Sequence, residues 1–213
     1  MSFIKKIFKK QIKKNKLDIS LSIQDNIDKI YPWIKVLLSN NDDTHNTRHE
    51  VILEGGDAPI YKKWLDDLAI FYVVDLVNHF QIILKRDLPS GISKEQLHKI
   101  AVANLERDIE YKIHTTNFGG YMFIAGGNHE AGSICLPEKW DWLSEYLNDD
   151  LIVAIPAKDI ILIVPENDPD TITNMKISVY DFLKDGNRIL TRNIFKYDRN
   201  SKNWTIIDSI NPI

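Results

Sequence analysis

The sequence predicts an α+β fold, a largely antiparallel sheet built from ββα units and preceded by two N-terminal helices. Three observations carry that expectation. Short β-branched and aromatic runs come in pairs, each pair separated by a few turn residues. Each of the first three pairs is followed by a stretch with the apolar spacing of a helix. The chain of 213 residues, 44% hydrophobic and 27% charged, is long enough for one full core.

The elements follow in order. In "MSFIKKIFKKQIKKNK", Phe3, Ile4, Ile7, Phe8 and Ile12 share one helical face with lysines around them. Two readings stand for this stretch. It is a solvated helix packed lightly on the body, or a helix lying on an anionic membrane surface through Lys5, Lys6, Lys9, Lys10, Lys13 and Lys14. No uninterrupted apolar run of the kind a secretory signal needs follows the lysines, and no stretch approaches the roughly 18 apolar residues of a membrane span. Residues 17–39 read as the second helix, because Ile23, Ile27, Ile30, Trp33, Ile34 and Leu37 repeat at three or four, with a kink at Pro32. The polar, turn-rich residues 40–58 read as a linking loop. They divide an N-terminal helical segment, 1–39, from a main α+β domain, 59–213.

Within the main domain, "LAIFYVVDLVNHFQIILKR" (68–86) has the form of a β-hairpin. Ser93 with Gln96 makes a capping box, and Leu97, Ile100, Ala101 and Leu105 give the stripe of the helix it opens. "IEYKIHTT" and "YMFIAG" form the next strand pair, turned at Phe118-Gly119-Gly120, and a helix containing Ile134, Trp140, Leu143 and Leu147 follows Gly126-Gly127. "LIVAIP" and "IILIVPE" lack alternation, which predicts burial on both faces. Asp168 and Pro169 start a helix over 168–184. "NRILTRNIFKYD" and "NWTIID" close the chain as a hairpin.

The segments "PIYKKWLDDLAIFYVVDL", "SKEQLHKIAVANL", "GGNHEA" and "DLIVAIPAKDIILIV", in that order, resemble the YtpQ-like family of uncharacterised bacterial proteins. The resemblance covers residues 59–207. It implies a cytoplasmic α+β domain with no established activity, cofactor or catalytic residues. The chain departs from the family's pattern at "EAGSICLP", where Gly132 and Pro137 interrupt the run.

The stretch most suggestive of chemistry is "FIAGGNHEAGS" (123–133). Gly127 and Gly132 have phosphate-loop spacing, but the lysine that meets the phosphates is missing and Glu130 would repel them. His129-Glu130 begins a zinc-protease motif, yet Ser133 stands where the second histidine belongs. A nucleophile reading needs Cys135 or Ser133 beside a histidine, and G-x-S-x-G is absent. The plainer reading makes Gly126-Gly127 a strand-end turn, Asn128 a helix cap, Glu130 a partner of the helix dipole and His129 a partly exposed surface contact. The candidate binding residues are Asn128, His129, Glu130 and, at a distance, His114. No catalytic set, metal site or cofactor is assigned.

Charge narrows the function classes. The first sixteen residues hold seven lysines and no acid, which leaves 20 basic residues against 30 acidic ones, a net charge of −10. Such a body repels nucleic acid. Cys135 is the sole cysteine, which excludes an internal disulfide and fits a reducing cytoplasm. The first expectation is a non-enzymatic cytoplasmic protein whose acidic surface meets a protein partner, an immunity protein against a basic toxin being one concrete form. The alternatives are a small-ligand binder or hydrolase centred on His129 and Glu130, and a peripheral membrane protein held by residues 3–14.

Overall fold

Strand β3 (Leu68–Leu76) is apolar without alternation because both of its faces are covered. The computed structural model describes residues 23–37, 55–76, 79–184 and 189–211. On one side β3 pairs with β1 (Ile30–Val36); on the other it pairs first with β2 (Tyr61–Lys63) and then with β4 (His79–Ile82), all antiparallel. Leu68, Ile70, Tyr72 and Val74 turn into the main core. Val73, on the other face, packs in a smaller cluster with Tyr31, Leu105 and Leu136.

Helix α1 (Lys94–Asp108) starts at the expected capping box. Ser93 Oγ accepts from Gln96 N at 3.2 Å, and the Gln96 side chain accepts from Ser93 N at 2.7 Å. Its Asn104 amide donates to the carbonyls of Ile27 and Ile30, which ties the helix to the chain entering β1.

The second sheet has six antiparallel strands in the order β10-β9-β7-β8-β6-β5. They are β5 (Lys112–Thr115), β6 (Tyr121–Ile124), β7 (Leu151–Ala157), β8 (Ile160–Pro165), β9 (Asn193–Tyr197) and β10 (Trp204–Ser209). The helix α2 (Pro137–Leu147) lies between β6 and β7 in sequence, and α3 (Pro169–Lys184) between β8 and β9. One face of the sheet takes Met175, Val179 and Leu183 of α3 against Ile152, Ala154, Leu162 and Val164. The other face sends Val153, Ile155, Ile163 and Phe195 into the core shared with β3, α1 and the α2 residues Trp140 and Leu143.

The α+β class and its antiparallel hairpins are as expected, and so is the ββα order. Two elements differ. Residues 17–39 do not form one helix: a 3-10 stretch, Ile23–Lys29, runs into strand β1. Ile30, Tyr31, Pro32 and Ile34 are all buried, so the strand shows no polar alternation and its apolar spacing imitates a helix. The helix expected after Gly127 is likewise split. A 3-10 turn spans Glu130–Cys135, and Pro137 takes the first position of α2, where its missing N–H costs nothing. The basic stretch 1–16 and most of the linking loop, residues 40–54, lie outside the described residues. Among the described residues no helix is long and apolar enough to cross a membrane.

Candidate functional site

The glycine patch is closed by its own side chains. Gly126 and Gly127 have φ values of +81° and +83°, a left-handed pair that side-chain-bearing residues adopt only with strain. This turn aims backbone N–H groups inward, and Glu130 reaches back to them. Its Oε1 accepts from Ala125 N at 2.8 Å and from Gly127 N at 2.7 Å. The carboxylate therefore occupies the place an anion would take in such a concavity. Lys158, at the tip of the β7–β8 hairpin, donates to Gly127 O and to Asn128 Oδ1, both at 2.9 Å, and lies over the Trp33 ring. Asn128 is thus a partner of Lys158 and not the helix cap expected from its type. The 3-10 turn has no side-chain cap.

His129 is buried, at 7% exposure, which corrects its reading as a surface contact. Its ring sits among Tyr31, Trp33 and Phe80, with centroids 5.3, 6.0 and 5.9 Å away. The reason is β1: the strand carries Tyr31 and Trp33 on the face opposite the main core, and the 3-10 turn lays His129 against them. His114 is not brought into this cluster. Strand alternation places Ile113 opposite Phe123 on the main-core side, and His114 opposite Met122, whose side chain packs toward α3. Among the described residues no group of three or more His, Cys, Asp and Glu could hold a metal ion.

Nucleophilic chemistry finds no arrangement here. His129 Nδ1 and Ser133 Oγ are both buried without a hydrogen-bond partner among the described residues, so the two are not bonded to each other. Burial pushes the Cys135 thiol up to about 12, which keeps it protonated near neutral pH.

Burial also holds the His129 imidazole below its ordinary value, aided by Lys158 and opposed by Asp75 and Glu130. The sign follows directly. The unfolded chain takes up this proton more readily, so the stability due to neutral His129 is complete above about pH 6.5 and declines as pH falls below it. His98, half-buried against Tyr72, shifts the same way. Denaturation midpoints of a His129→Phe variant between pH 7 and pH 5 should therefore fall less steeply than those of the wild type. An unchanged slope contradicts the assignment.

Beside the glycine patch lies a pocket of about 550 Å³. Its walls come from the C-terminal half of α1, the β5–β6 hairpin, Cys135 at the end of the 3-10 turn and the first two turns of α2, with Tyr111, Phe123, Leu136 and Trp142 among them. Tyr111 joins pocket and patch: its ring lines the pocket while its hydroxyl donates to His129 O at 2.7 Å. Glu106 and Glu138 are exposed residues at the rim and make no ion pair among the described residues, while Lys139, which also lines the pocket, has its ammonium 5.8 Å from the Tyr111 ring centre. Trp142 and Tyr146 extend the surface outward along α2. They are 54% and 71% exposed and stack at 5.5 Å. Apart from Phe123, which opens the glycine stretch, none of these residues stood out in the sequence. The available signal was the i, i+4 spacing of Trp142 and Tyr146, which sets two large rings on one helix face with Glu138 one turn before them.

Two curated relatives share most of the chain. It is 23% identical over 182 residues to the UPF0354 protein lin1649 of Listeria innocua and 22% identical over 181 residues to the UPF0354 protein lwe1624 of Listeria welshimeri. The matches cover 84% of this chain in both cases, and 65% and 64% of the relatives, so the chain spans just under two thirds of their length. Both belong to an uncharacterised family, and the likeness carries no activity with it. No protein-family model matches the chain, and no solved structure matches it.

Proposed function

We propose that the protein is a non-enzymatic binding protein that engages a basic protein partner through the pocket face of α1, β5–β6 and α2. One observation carries the reading: an aromatic-walled pocket opens beside two carboxylates that are unpaired among the described residues and an exposed Trp142–Tyr146 pair. Exposed tryptophan and tyrosine around a concave centre are the side chains that dominate binding energy at protein interfaces. Glu106 and Glu138 give the rim the sign of the body, whose net charge of −10 speeds encounter with a basic partner. The proposal extends to an immunity-type form in which the partner is a basic toxin, to a place in the YtpQ-like family and to a cytoplasmic location. The glycine patch serves this role from behind. It holds Tyr111 in place through His129 O, and its N–H groups are already taken by Glu130.

Affinity capture on the immobilised protein tests the reading at low and at high salt. A basic protein that binds at low salt and elutes as ionic strength rises supports it. Recovery of no salt-sensitive protein partner contradicts it.

A further inference from the structure

We propose that the pocket is an anchor site for an arginine side chain of that partner; this rests on the binding function argued above and names the chemistry it selects. The walls and the rim ask for two different things of one occupant. Val102, Ile113, Phe123 and Leu136 offer apolar surface with no hydrogen-bonding side-chain group, which suits an aliphatic stem. Tyr111 and Trp142 offer aromatic rings, whose faces attract a cation and stack with a planar guanidinium. Glu106 and Glu138 come from different elements, the end of α1 and the start of α2, yet line the same pocket and are both exposed, so a positive group entering it is attracted to both carboxylates.

The protein itself already places a cation on this wall. The Lys139 ammonium lies over the Tyr111 ring. One lysine against two glutamates leaves the rim net negative, so a second cation is attracted where an anion is not. Arginine fits better than lysine because its fork can bond a carboxylate with two donors while its plane lies on an indole. A purely apolar side chain would fill the walls and leave both carboxylates as they are. An acidic one would meet Glu106 and Glu138 with repulsion.

The test is an NMR titration of the full chain with the peptide N-acetyl-Gly-Arg-Gly-amide and with the same peptide carrying citrulline, the neutral isostere of arginine. The arginine peptide should shift the amides of Ile113, Phe123, Leu136 and Lys139 and the Trp142 indole. It should bind at least ~5-fold more tightly than the citrulline peptide. In the variant Glu106→Gln/Glu138→Gln, which alters only exposed side chains, that preference should vanish while the spectrum stays that of the folded protein. Equal binding of the two peptides at these residues overturns the arginine assignment and leaves the pocket as an apolar anchor. Absence of any saturable shift at these residues with either peptide overturns the pocket as the recognition site as well.

Discussion

Trp140→Ala should lower the unfolding free energy by about 3–5 kcal/mol, a large fraction of what a domain of this size has. Trp140 is fully buried where α2 meets the six-stranded sheet. Its ring packs edge-on against Phe123 at 5.1 Å and against Trp204 at 4.7 Å, with Tyr197 at 6.3 Å. Its Nε1 donates to Ser133 O at 2.7 Å, which joins α2 to the 3-10 turn of the glycine patch. Alanine removes both effects at once: it leaves a large cavity between helix and sheet, and it strands a buried carbonyl. A Trp140→Phe variant separates the two, since it keeps most of the packing and loses the donor, and its cost should be about 1–2 kcal/mol. Urea denaturation of the three proteins reads these values. A loss below ~1 kcal/mol for the alanine variant contradicts the packing role.

The second large effect falls on Glu130. Both N–H donors of the turn bond the same oxygen, Oε1, while Oε2 has no partner among the described residues. Glu130→Gln keeps an oxygen where the two donors need one, with its NH2 group in the unpartnered place of Oε2, and should cost less than Glu130→Ala. Glu130→Ala leaves two N–H groups unsatisfied, Ala125 N fully inside, and should cost about 2–4 kcal/mol. The alanine variant also empties an anion-shaped concavity, so added phosphate or sulfate should raise its melting temperature more than it raises that of the wild type. If glutamine is as damaging as alanine, the negative charge and not the acceptor oxygen holds the turn.

What could be read from the sequence was what local chemistry decides. Ser93 and Gln96 are three residues apart and cap the same helix turn, so α1 announces itself within four residues. Asp168 before Pro169 does the same for α3, where Asp168 Oδ1 accepts from Thr171 N. The hairpins of β3–β4 and β7–β8 are visible because their apolar runs are short and end at polar turns. Strand β1 was not legible. Its pairing with β3 spans some forty residues, and its side chains are buried on both faces, so periodicity alone favoured a helix.

The candidate site was legible only in part, for the same reason. "GGNHE" marks a turn, and the positive φ values of Gly126 and Gly127 bear that out. Where Glu130 points depends on how the chain folds back over the turn, and a carboxylate three residues after a glycine pair was the one local clue. The partner of Asn128, Lys158, lies thirty residues on. His129 is buried by residues of β1 and β4, and the pocket is assembled from α1, β5–β6 and α2. Sites built across elements leave little trace in the spacing of any one of them. His114 illustrates the converse, a plausible residue type that strand alternation sends to the other face.

The central claim is that recognition occurs on the pocket face, and two equally exposed apolar side chains allow a matched comparison. Trp142 on α2 is 54% exposed and Ile177 on α3 is 55% exposed. Trp142→Ala removes an exposed ring beside the pocket, and Ile177→Ala removes an exposed side chain from a helix that packs against the opposite face of the six-stranded sheet. Dissociation constants for the captured basic partner should weaken at least ~10-fold for Trp142→Ala and stay within about twofold of wild type for Ile177→Ala. Equal effects of the two substitutions, or a loss confined to Ile177→Ala, would place the binding surface elsewhere.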